Sequence, residues 1–104
     1  MKSYIEVLSL SNIKNGELRG SSVAVNMPSR ECKMVMFKAH ATNKGNIYIG
    51  GDDTITAANN TTNETAGYRL DAGENTPWFT VANMDKLWRI CDTADDNMTY
   101  VLLG

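Results

Sequence analysis

The chain has 104 residues, of which 42% are apolar and 21% are charged, so one globular domain around one core is expected. Twelve acidic residues outweigh ten scattered basic ones, and the net charge of −2 leaves no basic stripe for nucleic acid. No segment reaches the roughly 20 consecutive apolar residues of a transmembrane helix. The sequence therefore predicts no nucleic acid and no membrane as partner.

The chain begins with a predicted N-terminal strand or arm, residues 1–20, ahead of a sandwich domain, residues 21–104. The first strand is expected at residues 4–10. Glu6 interrupts its apolar run, which therefore lacks the continuous core of a secretion signal. We accordingly expect a protein that is made and kept in a cytoplasm.

Further along the chain, apolar residues follow a two-residue period or short continuous runs, without the spacing of an amphipathic helix. Strands are predicted at residues 4–10, 22–27, 32–41, 46–50, 67–70, 78–82, 86–92 and 98–103. Turn-forming residues separate these runs, at 15–16, 28–29, 43–45, 50–52, 71–73 and 95–97. This pattern predicts an all-β fold, a single β-sandwich of about seven or eight short strands that is either jelly-roll-like or immunoglobulin-like.

The run from Cys32 to Phe37 is apolar on both sides. Alternation places Met34 and Met36 on one side and Val35 and Phe37 on the other. A sandwich strand normally has one solvent-exposed face. We therefore expect the second apolar side of this strand to be covered by a subunit partner, a long loop or the N-terminal segment. Oligomerisation is the simplest of these explanations.

Residues 52–66 form a predicted long excursion, rich in Thr, Asn and Ala. Loops of this length are uncommon in compact domains and often serve binding. The alternative is a surface loop that contains one short strand at residues 54–57. The sequence favours neither the binding loop nor the surface loop.

Cys32 and Cys91 are too few and too far apart for a zinc site. A disulfide between two strands is one possibility, as in immunoglobulin sandwiches. Free, buried thiols are the favoured interpretation, because reducing compartments keep cysteines reduced.

Catalytic and cofactor signals are missing from the sequence. His40 is the only histidine and no nucleophile-elbow motif accompanies it. Gly50 and Gly51 are followed by two aspartates, which would repel phosphate. Residues 92–97 are acidic, but they lack the glycine and glutamate of an EF-hand loop. We predict no enzyme activity, no metal and no cofactor.

Three aromatic residues, Trp78, Phe79 and Trp88, could form a sugar-stacking platform or the centre of an interface. Core packing is the competing use. In both the Trp78–Phe79 and the Leu87–Trp88 pairs, alternation predicts one core and one half-exposed side chain, without deciding which.

Three stretches resemble a class of small proteins encoded by tailed bacteriophages. They are Asn-Lys-Gly-Asn-Ile-Tyr-Ile-Gly-Gly at residues 43–51, Gly-Tyr-Arg-Leu-Asp-Ala-Gly-Glu at 67–74, and residues 81–90. The second is similar to that class's "G-x-x-L-x-P-G-E" turn, although Ala72 replaces the proline. The resemblance spans residues 21–103.

This resemblance implies a structural protein of the virion, assembled in the host bacterial cytoplasm. The leading expectation is a capsid decoration, or cement, protein that bridges major capsid proteins, as a homotrimer at three-fold positions. The alternative is a head-fibre or tail-associated module that binds host-surface glycans. The candidate interface residues are Tyr4, Ile5, Val7, Leu8, Leu10, Met34, Met36, Trp78 and Trp88.

Overall fold

The computed structural model describes residues 13–57 and 65–104, which form eight strands and one short 3₁₀ turn. The strands are β1 (Ile13–Arg19), β2 (Val25–Asn26), β3 (Met34–Ala39), β4 (Ile47–Gly50), β5 (Tyr68–Leu70), β6 (Phe79–Thr80), β7 (Trp88–Cys91) and β8 (Asn97–Leu103). The turn, Met84–Lys86, is capped by the Asn83 side chain, which accepts a hydrogen bond from the amide of Asp85. The all-β prediction is confirmed.

The strands form two antiparallel sheets of four strands each. The first sheet has the order β1-β8-β3-β6 and the second has the order β2-β7-β4-β5. The hydrogen-bonded pairs include β1 with β8, β2 with β7, β3 with β6 and β4 with β5. This nested pairing is that of an eight-stranded jelly roll, and it decides between the two sandwich types that the sequence left open.

The core lies between the sheets and takes alternate side chains from both. Val35, Phe37 and Leu102 contribute from the first sheet, and Ile47 and Ile49 contribute from the second. All five side chains are at most 3% exposed, which accounts for the two-residue apolar period in the sequence.

Arg89 reaches into this core and connects the two sheets. Its guanidinium donates to the carbonyl oxygens of Arg19 and Asn26, both at 3.1 Å, and to the sulfur of Met27. Burial lowers the pKa of Arg89. The charge is therefore compensated by backbone dipoles at the ends of β1 and β2.

The predicted turn at residues 15–16 is wrong. Asn15 and Gly16 lie in the middle of β1, where they pair with Val101 and Tyr100 of β8. A Cβ on Gly16 would lie 2.8 Å from the ring of Tyr100, so the glycine leaves room for that ring. Pairing along the whole of β8 outweighs the local turn preference of Asn-Gly. The described part of the sandwich therefore includes Ile13–Arg19, which lies within the segment first assigned to the arm.

Other predicted strands are shortened at their ends. The one at residues 78–82 keeps two residues, and the one at 86–92 begins at Trp88 because Lys86 belongs to the 3₁₀ turn. No strand forms at residues 54–57, where only a single parallel bridge joins Thr56 to Ala66. The predicted strand at residues 4–10 lies outside the described residues.

The described part of the 52–66 excursion lies against the outer side of the second sheet. Ile55 is buried and packs on Gly50, where a Cβ would overlap it. Tyr48, also on this side of β4, is 1% exposed, and its hydroxyl has no hydrogen-bond partner among the described residues. This side of the second sheet is therefore partly covered by the chain itself.

Candidate functional site

The first sheet presents a second apolar face, on the side away from the core. Since Val35, Phe37 and Leu102 point inward, alternation turns the neighbouring side chains of β3 and β8 outward. The apolar side chains among them are Met34, Met36, Val101 and Leu103. All four are half-buried in the described structure. We refer to this side as the outer face of the first sheet.

Strand register brings the outward apolar residues together. Met34 pairs with Leu103, and Leu103 pairs in turn with Ile13 of β1. Met36 pairs with Val101 in the next outward row. Directly opposed side chains in antiparallel strands lie in contact range, so these two rows make one continuous apolar surface. Ile13, which ends the first of these rows, is 62% exposed.

A groove of about 710 Å³ crosses this outer face. Met36 and Val101 line it, and its polar rim includes Glu17, Lys38 and Asn75. The side-chain amide of Asn75 lies 3.6 Å from the sulfur of Met36. The groove is within the size range of sites that bind small molecules or peptide side chains.

Charges of both signs stand at one end of the groove. Glu17 and Lys38 pair with the same residue, Thr99, from opposite sides of β8. His40 lies beside Glu17, with 3.0 Å between the imidazole Nε2 and a carboxylate oxygen. The only histidine therefore contacts a carboxylate at the surface, and no nucleophile accompanies it in the contacts described.

The structure separates the candidate interface residues. Met34 and Met36 lie together on the outer face of the first sheet, and Trp78 stands 40% exposed directly before β6 of the same sheet. Trp88 is on β7 of the second sheet, half-buried and opposite Gly50. The candidates at residues 4, 5, 7, 8 and 10 lie outside the described residues.

The two ambiguous aromatic pairs are resolved. Phe79 packs against the core, with its ring centroid 6.3 Å from that of Phe37, so Trp78 is the exposed member of its pair. Leu87 packs against the core as well, which leaves Trp88 on the other side of the chain. One member of each pair packs against the core, as the alternation predicts.

Two of the acidic residues at 92–97 accept hydrogen bonds from backbone amides. The Asp96 carboxylate accepts hydrogen bonds from the amides of Lys44 and Gly45, at 2.8 and 2.7 Å, and Asp92 accepts one from Asn46 at 3.1 Å. Over residues 13–57 and 65–104, no group of three or more histidine, cysteine or acidic residues is placed to hold a metal ion.

Sequence reasoning missed Ile13, Val101 and Leu103 as parts of the outer face. For β8 a signal was available, because the run from Met98 to Leu103 is apolar at both alternating sets of positions, as in β3. For Ile13 no such signal was available, because the nearby pair Asn15-Gly16 predicts a turn in place of a strand.

The fold and the outer face define an antiparallel β-sandwich with an apolar surface beyond its core. Comparisons with protein-family models, with curated proteins and with solved structures find no match. Within the described residues, no helix has the length and apolar character needed to cross a membrane.

Proposed function

We propose that this protein is a structural component of a tailed-phage virion, a capsid decoration protein that stabilises the shell by bridging major capsid proteins. The observation that carries the proposal is the outer face of the first sheet, with Met34, Met36, Val101 and Leu103 in two adjoining rows. Contiguous apolar side chains outside the core of a sandwich are candidates for an interaction site. A shell accessory needs such contact surface and needs no catalytic group.

Three further observations support this role. The jelly-roll arrangement occurs in viral capsid domains, among other proteins. The resemblance to phage proteins at residues 43–51 includes Gly45, whose close contact with the Asp92 and Thr93 side chains leaves no room for a Cβ. The net charge of −2 also suits a protein that assembles around a packaged genome without binding it.

The proposed assembly is a homotrimer at three-fold positions of the shell. Several modest contacts from one oligomer engage neighbouring capsid subunits together, so the combined attachment is much tighter than any single contact. The protein is then found in the virion, after assembly in the host bacterial cytoplasm.

Mass spectrometry of purified particles tests this proposal through the copy number. A decoration protein occupies symmetric positions over the whole shell, so a copy number on the order of hundreds per particle is expected. A density map of the intact particle should place it between major capsid proteins. A handful of copies, or a position on the tail, would exclude a decoration role.

A second candidate is a fibre or tail-associated module that binds host-surface glycans. Trp78, 40% exposed, favours it, because exposed aromatic rings stack on sugars. Jelly rolls also include lectin domains. A glycan array should then give a signal that Trp78→Ala removes and Trp88→Ala, on the other sheet, retains. No signal on the array, together with unchanged adsorption of Trp78→Ala particles, would rule out this alternative.

A further inference from the structure

The outer face of the first sheet lies next to the start of β1. Ile13 is the first residue of that edge strand, and its side chain ends the outward row that includes Leu103 and Met34. Twelve residues precede Ile13 in the chain. Their point of attachment is therefore at the margin of the apolar surface.

The sequence of this N-terminal segment is strongly apolar between residues 4 and 10. In an extended segment, alternation places Tyr4, Leu8 and Leu10 on one side, together with Glu6, and it places Ile5 and Val7 on the other side, together with Ser9. A segment that is apolar on both sides needs to be covered twice. One sheet face can cover only one side.

The length of the segment is sufficient to reach a neighbouring molecule. Twelve extended residues span up to about 40 Å, whereas four paired strands are only about 19 Å wide. For the segment to return onto its own sheet, the chain would have to reverse and rise by about 10 Å between residues 10 and 13. The three links between these residues extend only about 10 Å when straight, so no length is left for the reversal. Docking on a second copy avoids this restriction, and it leaves the other side of the segment available for a further contact.

The groove also fits such a segment chemically. Met36 lines the groove, and Met34 lies in the adjoining row of the outer face. Both side chains are flexible and polarisable, so they adapt to branched and aromatic side chains. The rim offers Glu17 and Lys38, and the segment carries charges of both signs in Lys2 and Glu6. Opposite charges can therefore meet at the margin while apolar groups fill the centre.

We propose that the outer face of the first sheet is the docking site for residues 4–10 of a second copy of this chain. The inference deepens the proposed function and rests on the homo-oligomer proposed there. Each copy donates its N-terminal segment and receives a neighbour's, so the contact repeats around a closed ring.

Light scattering on the full-length protein tests the contact through its oligomeric state. Met36→Glu in the groove and Leu8→Asp in the segment should each raise the dissociation constant at least about 100-fold, because each places an unpaired carboxylate in an apolar contact. Val23→Glu is the control, since Val23 is 65% exposed and lies outside the first sheet. Circular dichroism establishes that each variant is folded.

A photocrosslinking amino acid at position 36 tests the occupant directly. With isotopically labelled and unlabelled chains mixed, cross-links should join position 36 of one copy to residues 4–10 of the other. A monomer at micromolar concentration, an oligomer unaffected by Met36→Glu, cross-links only within one copy, or cross-links to other parts of the second copy would each overturn the inference. A monomer that is still found at high copy number in particles would overturn the docking and leave the decoration role intact.

Discussion

Single side chains hold the connections of this sandwich in place, and Asp96 is the clearest case. It is 4% exposed, and its carboxylate binds the amides of Lys44 and Gly45 in the connection between β3 and β4. Asn43 reinforces the contact by exchanging hydrogen bonds with the backbone of Asn97 at 2.8 and 2.9 Å. The turn before β4 is therefore fastened to the turn before β8.

Replacing Asp96 should destabilise the fold more than replacing its neighbour. Asp96→Asn removes the charge that strengthens two hydrogen bonds and turns amide hydrogens toward backbone donors, so a loss of about 2 kcal/mol in the free energy of unfolding is expected. Asp95 is exposed, and Asp95→Asn should change it by less than about 0.5 kcal/mol. Urea denaturation of both variants measures the difference. Equal effects would contradict the role given to Asp96.

At the scale of elements, close backbone approach decides how β5 joins the second sheet. Gly67 comes immediately before β5, and a Cβ at this position would lie 2.7 Å from the carbonyl oxygen of Ile49 and 3.0 Å from its nitrogen. Those atoms belong to the backbone of β4, which cannot move without breaking the β4–β5 pairing. The edge of the second sheet therefore depends on a glycine here.

The variant Gly67→Ala should displace β5 from the sheet edge. Overpacking against backbone typically costs 1–3 kcal/mol, and we expect a loss of about 2 kcal/mol in the free energy of unfolding. Gly51 is the matched control, because a Cβ there meets nothing within 4 Å. Hydrogen exchange should also quicken at Tyr68 and Leu70 in Gly67→Ala alone. Unchanged exchange at β5 would argue against the close approach.

Across the whole molecule, the core encloses both cysteines as neutral thiols. Cys32 and Cys91 are free and buried, on segments of different sheets. Burial raises the pKa of each thiol above its ordinary value of 9.0. The sandwich therefore uses them as small apolar side chains, in agreement with the favoured interpretation of the sequence.

This burial predicts a loss of stability in alkali. Because the pKa is raised in the folded state, the stabilisation is complete below the ordinary value of 9.0 and is lost as the pH rises through the folded pKa. The free energy of unfolding should fall between about pH 9 and 10, by up to about 1.4 kcal/mol per pH unit for each thiol. Chemical denaturation of Cys91→Ala should give a flatter profile over that interval than the unmodified chain. Parallel profiles would show that Cys91 contributes nothing to the pH dependence.

The sequence by itself determined the fold class and part of the outer face. The two-residue apolar period indicates which side chains are buried. For this reason β3, β4 and β8 were predicted near their observed positions. Met34 and Met36 were placed opposite Val35 and Phe37 for the same reason. Alternation depends only on local geometry, and no long-range contact is needed to read it.

Only the tertiary structure decided which of the sandwich arrangements forms and which aromatic residues are exposed. The nested pairing, the strand through Asn15 and Gly16, and the exposure of Trp78 over Phe79 all depend on partners far away in the chain. The same is true of Asp96, whose carboxylate binds amides about fifty residues earlier. Local preferences are weak beside the free energy of burying a whole strand against its neighbours, so the chain's long-range pairings overrule them.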